Sequence, residues 1–121
     1  MQDFRKLAVW EKSFRLGLDI YQVSKGFPKD ELFGLTSQLR RASVSISANI
    51  AEGCGRFSSS DLVRFLDISM GSVSEVDTYL DFARELGYLD AGSYDGLQEK
   101  LVEVRRMLIA LIQTIRSTNE H

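Results

Sequence analysis

Arg40, Arg41, Arg56 and Arg64 surround what their spacing makes one helical hairpin, and arginine grips phosphate through two parallel N–H groups. Arg105 and Arg106 add two cations further along the chain. In an assembly of several copies, Arg40, Arg56, Arg64, Arg105 and Arg106 would multiply into a basic surface for RNA or DNA. Binding of that kind weakens steeply as salt displaces it. Carboxylates Glu52, Asp61, Asp67 and Glu75 are interleaved with the arginines, and the net charge is −2. If the hairpin folds back near Phe57, Arg41 falls within about a turn of Ser72 and Glu75, which favours an inter-helix ion pair. The alternative for Arg41 is an exposed phosphate contact.

Other chemistry finds little to stand on. Gly53-Cys54-Gly55-Arg56 is too short for a phosphate-binding glycine loop and reads as a helix stop followed by a turn. Cys54 is the sole cysteine and would sit at a helix C-terminus, where the negative end of the dipole disfavours a thiolate. His121 is the sole histidine and the last residue, so neither a histidine base nor the Glu-x-x-His pairs of di-metal bundles can be assembled. No catalytic residue, metal, cofactor or small-molecule substrate is expected.

The elements that position these residues are helices. One proline, Pro28, and a few clustered glycines punctuate the chain, and no useful strand alternation occurs. Helices are predicted over about 5–25, 35–53, 60–87 and 93–117. In the first, Leu7, Trp10, Phe14, Leu18 and Tyr21 recur at steps of three and four and read as the core face. Val9, Leu16, Ile20 and Val23 form a second apolar set nearly opposite. The second helix carries Leu35, Leu39, Ala42, Ile46 and Asn49 in heptad spacing, backed by small residues at Val44, Ala48 and Ala51. Ser58 with Asp61 resembles a capping box variant opening the third helix, with Ser59 or Ser60 as alternative caps. That helix offers Leu62, Leu66, Ser69, Val73, Val76 and Leu80 to a core. Its second seam is Ile68, Ser72, Glu75, Tyr79, Phe82 and Leu86. The fourth has one clean stripe, Leu97, Leu101, Val104, Leu108, Leu111 and Ile115, and is expected to start at Ser93 or Asp95.

Four such segments joined by short loops predict an all-α fold, an up-down-up-down antiparallel four-helix bundle spanning residues 1–121 as a single domain. Surplus apolar faces on the first three helices predict a homo-oligomer; the alternative is an irregular bundle that buries wider faces itself. Gln38, Arg41, Asn49, Glu52, Ser72 and Glu75 are expected to form a structural polar network. Asn49 would bond to free backbone near Gly53 or set an oligomer's register. At 121 residues, 44% hydrophobic and 26% charged, the composition is that of one globular domain. No apolar run reaches the roughly 20 residues of a membrane span, and the first twelve residues do not read as a signal peptide, so a cytoplasmic protein is expected.

A set of local motifs then points to a family. Val9-Trp10, Phe27-Pro28, Gly34-Leu35 with Gln38, Arg40-Arg41-Ala42, Ser45-Ile46, Asn49-Ile50-Ala51-Glu52-Gly53, Gly55-Arg56 and Gly71-Ser72 with Glu75 span nearly the whole chain. In these the sequence resembles the bacterial four-helix-bundle proteins named for reading frames in intervening sequences of 23S ribosomal RNA genes. The resemblance implies ring-like homo-oligomers that look pentameric and no established catalytic activity. A related group, the accessory proteins of diversity-generating retroelements, engages nucleic acid through a basic surface; this chain is acidic overall.

Overall fold

Four α-helices account for most of residues 3–119, which this computed structural model describes. They are α1 (Ala8–Ser24), α2 (Leu35–Cys54), α3 (Ser59–Glu85) and α4 (Ala91–Asn119), with short 3-10 turns at Phe4–Lys6 and Lys29–Glu31. No strand occurs among the described residues. Packing joins α1 to α2, α2 to α3, α3 to α4 and α4 back to α1, the neighbour order of an up-down-up-down bundle.

Local chemistry sets the helix ends. Ser58 Oγ accepts the Asp61 amide at 3.2 Å and opens α3. Gly87, at φ +80°, closes it: the Tyr88 amide returns to the Ala83 carbonyl at 2.8 Å and the Gly87 amide to Arg84, which satisfies two terminal carbonyls. Asp90 accepts the Ser93 amide at 2.8 Å and starts α4 at Ala91, ahead of the Ser93 or Asp95 start expected from sequence. That amide bond also holds the Asp90 carboxyl below the usual carboxylate range. α1 starts later than the pattern suggests, because residues 4–6 form the tighter turn first. Glu31 joins two loops: Oε1 accepts the Leu35 amide at 3.3 Å at the start of α2, while Oε2 accepts Tyr88 Oη at 2.9 Å.

The core is a column of Leu16, Ile20, Leu39, Ile46, Ile50, Leu66, Val73, Val76, Leu80, Leu101, Val104 and Leu108, all fully buried. For α2, α3 and α4 these belong to the stripes that the spacing predicts, apart from Ile50, which flanks the α2 stripe. For α1 the inward face is the other one. Val9, Ser13, Leu16, Gly17, Ile20 and Ser24 are buried, whereas Phe14, Leu18 and Tyr21 lie at the surface. Small residues line this buried face. Gly17 looks toward α2, where a Cβ would make an ordinary contact, 4.0 Å from Ser43 Oγ. The buried hydroxyls of Ser13, Ser24 and Ser43 are satisfied by the carbonyls of Trp10, Tyr21 and Arg40 three residues earlier, so small polar residues enter without unpaired groups.

The α2 and α3 helices approach most closely. Ser69 Oγ donates to the Ile46 carbonyl at 2.9 Å in the buried seam. A Cβ on Gly53 would meet Leu62 Cδ1 and Phe65 Cβ at 3.0 Å and the Leu62 carbonyl at 3.2 Å. Gly53→Val is therefore expected to destabilise the protein by about 1–3 kcal/mol through overpacking. At Gly71 a Cβ would have no neighbour within 4 Å, so this position should accept alanine with no loss. Urea midpoints measure both; a Gly53→Val midpoint equal to that of Gly71→Ala would contradict the tight seam.

Candidate functional site

Above the α2–α3 seam lies a shallow concavity of about 540 Å³, walled by Phe33, Ser37, Gln38, Arg41 and Ser45 from one side and Ser72, Glu75 and Tyr79 from the other. Its floor is a chain of hydrogen bonds. Ser72 Oγ donates to Ser45 Oγ at 2.8 Å. Asn49 Nδ2 donates to the Ser45 carbonyl at 2.8 Å and to Ser45 Oγ at 2.9 Å. Tyr79 Oη donates to Gln38 Oε1 at 2.8 Å across the two helices. Asn49 thus turns back on its own helix rather than toward Gly53. Arg41 and Glu75 share the concavity, yet among the described residues no ion pair joins them, contrary to the expected inter-helix pair. Glu52 sits apart from this group and pairs with Arg56 near the end of α2.

The five arginines singled out as a nucleic-acid surface are dispersed. Arg40 turns toward α1: its Nε donates to Ser24 Oγ at 2.8 Å, Nη2 donates to the Tyr21 carbonyl at 3.3 Å, and the guanidinium lies 4.8 Å from the Tyr21 ring. It serves the end of α1, where free carbonyls and the helix dipole attract a cation. Arg56 and Arg64 stack on Phe65 at 4.7 and 4.5 Å and pair with Glu52 and Asp61. Arg105 lies 3.7 Å from Asp77 of α3. Arg106 is exposed on α4 beside a depression that also contains Asp95, Glu99 and Glu103. Arg40 is about 24 Å along the helix axis from the level of Arg56, taking 1.5 Å per residue. Within one copy the five do not converge.

A separate surface is apolar. Phe14, Leu18 and Tyr21 of α1 remain 41–48% exposed, and Val44 of α2 is 46% exposed. Trp10 stacks on Phe14 with ring centroids 5.1 Å apart and packs edge-on against Phe4 at the same separation. The Gly17–Ser43 and Tyr21–Arg40 contacts place this stripe along the α1–α2 side of the bundle. Sequence spacing finds the stripe but turns it inward; the small residues Ser13, Gly17 and Ser24 were the available sign that the opposite face is the close-packed one. Glu31, Ser45, Tyr79 and Phe33 escape a sequence reading as site residues, because their relevance comes from partners on other elements.

No group of three or more histidine, cysteine, aspartate or glutamate side chains suited to a metal ion occurs among the described residues, and no helix there is long and apolar enough to cross a membrane. His121 lies outside the described residues. Cys54 is buried at the end of α2, and that burial pushes its thiol pKa up.

Comparisons with known proteins agree with this architecture. The model of the 23S rRNA-intervening sequence protein family matches residues 5–110. The crystal structure of a protein of unknown function from the S23 ribosomal protein family of Bacteroides thetaiotaomicron is similar, with a TM-score of 0.78 and 24% identity over 87% of this chain and 98% of that one. At that identity the likeness bears on the fold alone. No curated protein matches the sequence.

The Cys54 environment gives a direct check. Its raised pKa and burial both suppress the reactive thiolate. Alkylation at pH 7.5 is expected to be at least about tenfold slower than in urea-unfolded protein, and to follow global unfolding as denaturant rises. A native rate equal to the unfolded rate would contradict the buried position.

Proposed function

We propose, for a chain that belongs to the 23S rRNA-intervening sequence protein family, a non-enzymatic role in the cytoplasm as a self-associating helical bundle, a scaffold or interaction module. The observation that carries this reading is the exposed stripe of Phe14, Leu18 and Tyr21 with Val44 beside it. Aromatic and large aliphatic side chains lined up along one side of a bundle lose hydration cost when another apolar surface covers them. A second copy supplies such a surface at the concentration of the protein itself, and most homo-oligomers close by symmetry. Five subunits is the number that the family resemblance implies.

A nucleic-acid role draws less support from the geometry. Arg56, Arg64 and Arg105 are matched to carboxylates, and Arg40 is committed to the end of α1. An enzymatic role draws no support from an acid–base or nucleophile pair among the described residues.

Light scattering at micromolar concentration tests the reading. The wild-type protein is expected at a multiple of 13.7 kDa. Phe14→Glu combined with Leu18→Glu places two charges on the stripe without touching the core. It should weaken association at least about 100-fold, roughly 3 kcal/mol, and leave the helical circular dichroism unchanged. A wild-type mass of 13.7 kDa would refute self-association. Retained assembly in the double variant would remove the α1–α2 stripe as its contact.

A further inference from the structure

The hydrogen bonds in the α2–α3 concavity leave an unequal remainder. Tyr79 Oη donates to Gln38 Oε1, so the Gln38 Nε2 group keeps both protons for another partner. Ser45 Oγ accepts twice, from Asn49 Nδ2 and from Ser72 Oγ, which occupies both lone pairs and leaves its own proton to be given away. Arg41 lines the same wall, and among the described residues its guanidinium has no carboxylate partner, whereas Arg56, Arg64, Arg84, Arg105 and Arg116 each have one. What remains unspent at Gln38, Arg41 and Ser45 is therefore mostly donor capacity, with one fixed positive charge and a single lone pair left on Gln38 Oε1. Donors on the α2 wall that converge with a guanidinium free of a carboxylate partner complement an oxyanion.

Glu75 narrows the ligand. A bare anion would meet this carboxylate at a cost, but an anion whose next group is a hydroxyl gives Glu75 a proton to accept. Phe33 stands on the rim, 94% exposed, and offers a flat apolar surface next to the polar hollow. The volume of about 540 Å³ is that of a small-molecule site. We propose that the α2–α3 concavity binds a hydroxyl-bearing phosphate ester. The phosphate lies on Arg41, Gln38 and Ser45, and an adjacent hydroxyl donates to Glu75. Sugar phosphates and ribonucleotides share this chemistry, and Phe33 separates them, since only a ribonucleotide carries a base to stack. The site lies between α2 and α3, whereas the Phe14–Leu18–Tyr21 stripe runs along α1, and it needs no second copy, so it goes beyond the self-association reading.

Calorimetric titration of the full chain at low salt with AMP, ribose 5-phosphate and inorganic phosphate tests it. Millimolar or tighter binding of AMP or ribose 5-phosphate is expected, stronger than that of inorganic phosphate. Arg41→Ala should weaken it at least tenfold, and Arg41→Lys should restore part of the loss. Glu75→Gln should weaken the hydroxyl-bearing esters while leaving inorganic phosphate equal or tighter, a split that a purely structural role would not produce. Phe33→Ala lowering AMP affinity alone assigns the site to ribonucleotides; AMP and ribose 5-phosphate equal, both insensitive to Phe33→Ala, assigns it to sugar phosphates. Absence of binding by both esters, or binding unchanged in Arg41→Ala, overturns the proposal. Light scattering on Arg41→Ala, expected to match the wild type, keeps the outcome separate from that of assembly.

Discussion

The close approach of α2 to α3 is the constraint on which the other features depend. It is made possible by what these helices lack. Gly53 has no side chain where Leu62 and Phe65 press in, and Ala42, Ser45, Ser69 and Ser72 are small along the rest of the seam. Serine in a seam imposes a second condition, because a buried hydroxyl without a partner costs about 1–3 kcal/mol. Ser69 meets it at the Ile46 carbonyl and Ser72 at Ser45. The two helices are thereby fixed in register as well as in distance. The register places Tyr79 opposite Gln38 and lets Arg41 and Glu75 look into one hollow.

The orientation of α1 follows the same physics. Phe14, Leu18 and Tyr21 of its bulkier stripe face outward, while the smaller Ser13, Gly17 and Ser24 sit on the buried side with Val9, Leu16 and Ile20. Trp10 still packs partly against the core, while Phe14, Leu18 and Tyr21 remain exposed. Outer ion pairs then hold α1 to α4, with Lys12 2.8 Å from Glu103 and Lys100 2.5 Å from Asp19. These pairs are half exposed, so each contributes little to stability. Their geometry nevertheless agrees with α1 being turned as described.

What could be read in the sequence, and what could not, divides along the same line. Leu39, Ala42 and Ile46, then Leu66, Val73, Val76 and Leu80, then Leu97, Leu101, Val104 and Leu108 are legible as core from period alone. In each of those helices one stripe holds most of the large aliphatic residues, and the second seam of α3 is broken by Ser72 and Glu75. α1 has two, and periodicity carries no information about which of two apolar stripes is nearer its neighbours. Arg40 and Arg41 show the limit for the site. Adjacent residues on a helix point about 100° apart, so one completes the end of α1 and the other enters the α2–α3 hollow. Arg40, expected on an outer basic surface, is the engaged one, and Arg41 lacks the carboxylate partner expected of it among the described residues. Partners such as Glu31 for Tyr88 are 57 positions away and leave no local trace.

Trp10 is the sole tryptophan, half-buried between Phe4 and Phe14 at the edge of the exposed stripe. Its emission therefore reports the state of that surface without any substitution. If α1 turns its aromatic side outward and a second copy covers it, dilution from micromolar to nanomolar concentration should shift Trp10 emission to the red. The change should coincide with the loss of assembled mass. Emission that stays constant across the range in which assembled mass disappears would contradict the covering of this face.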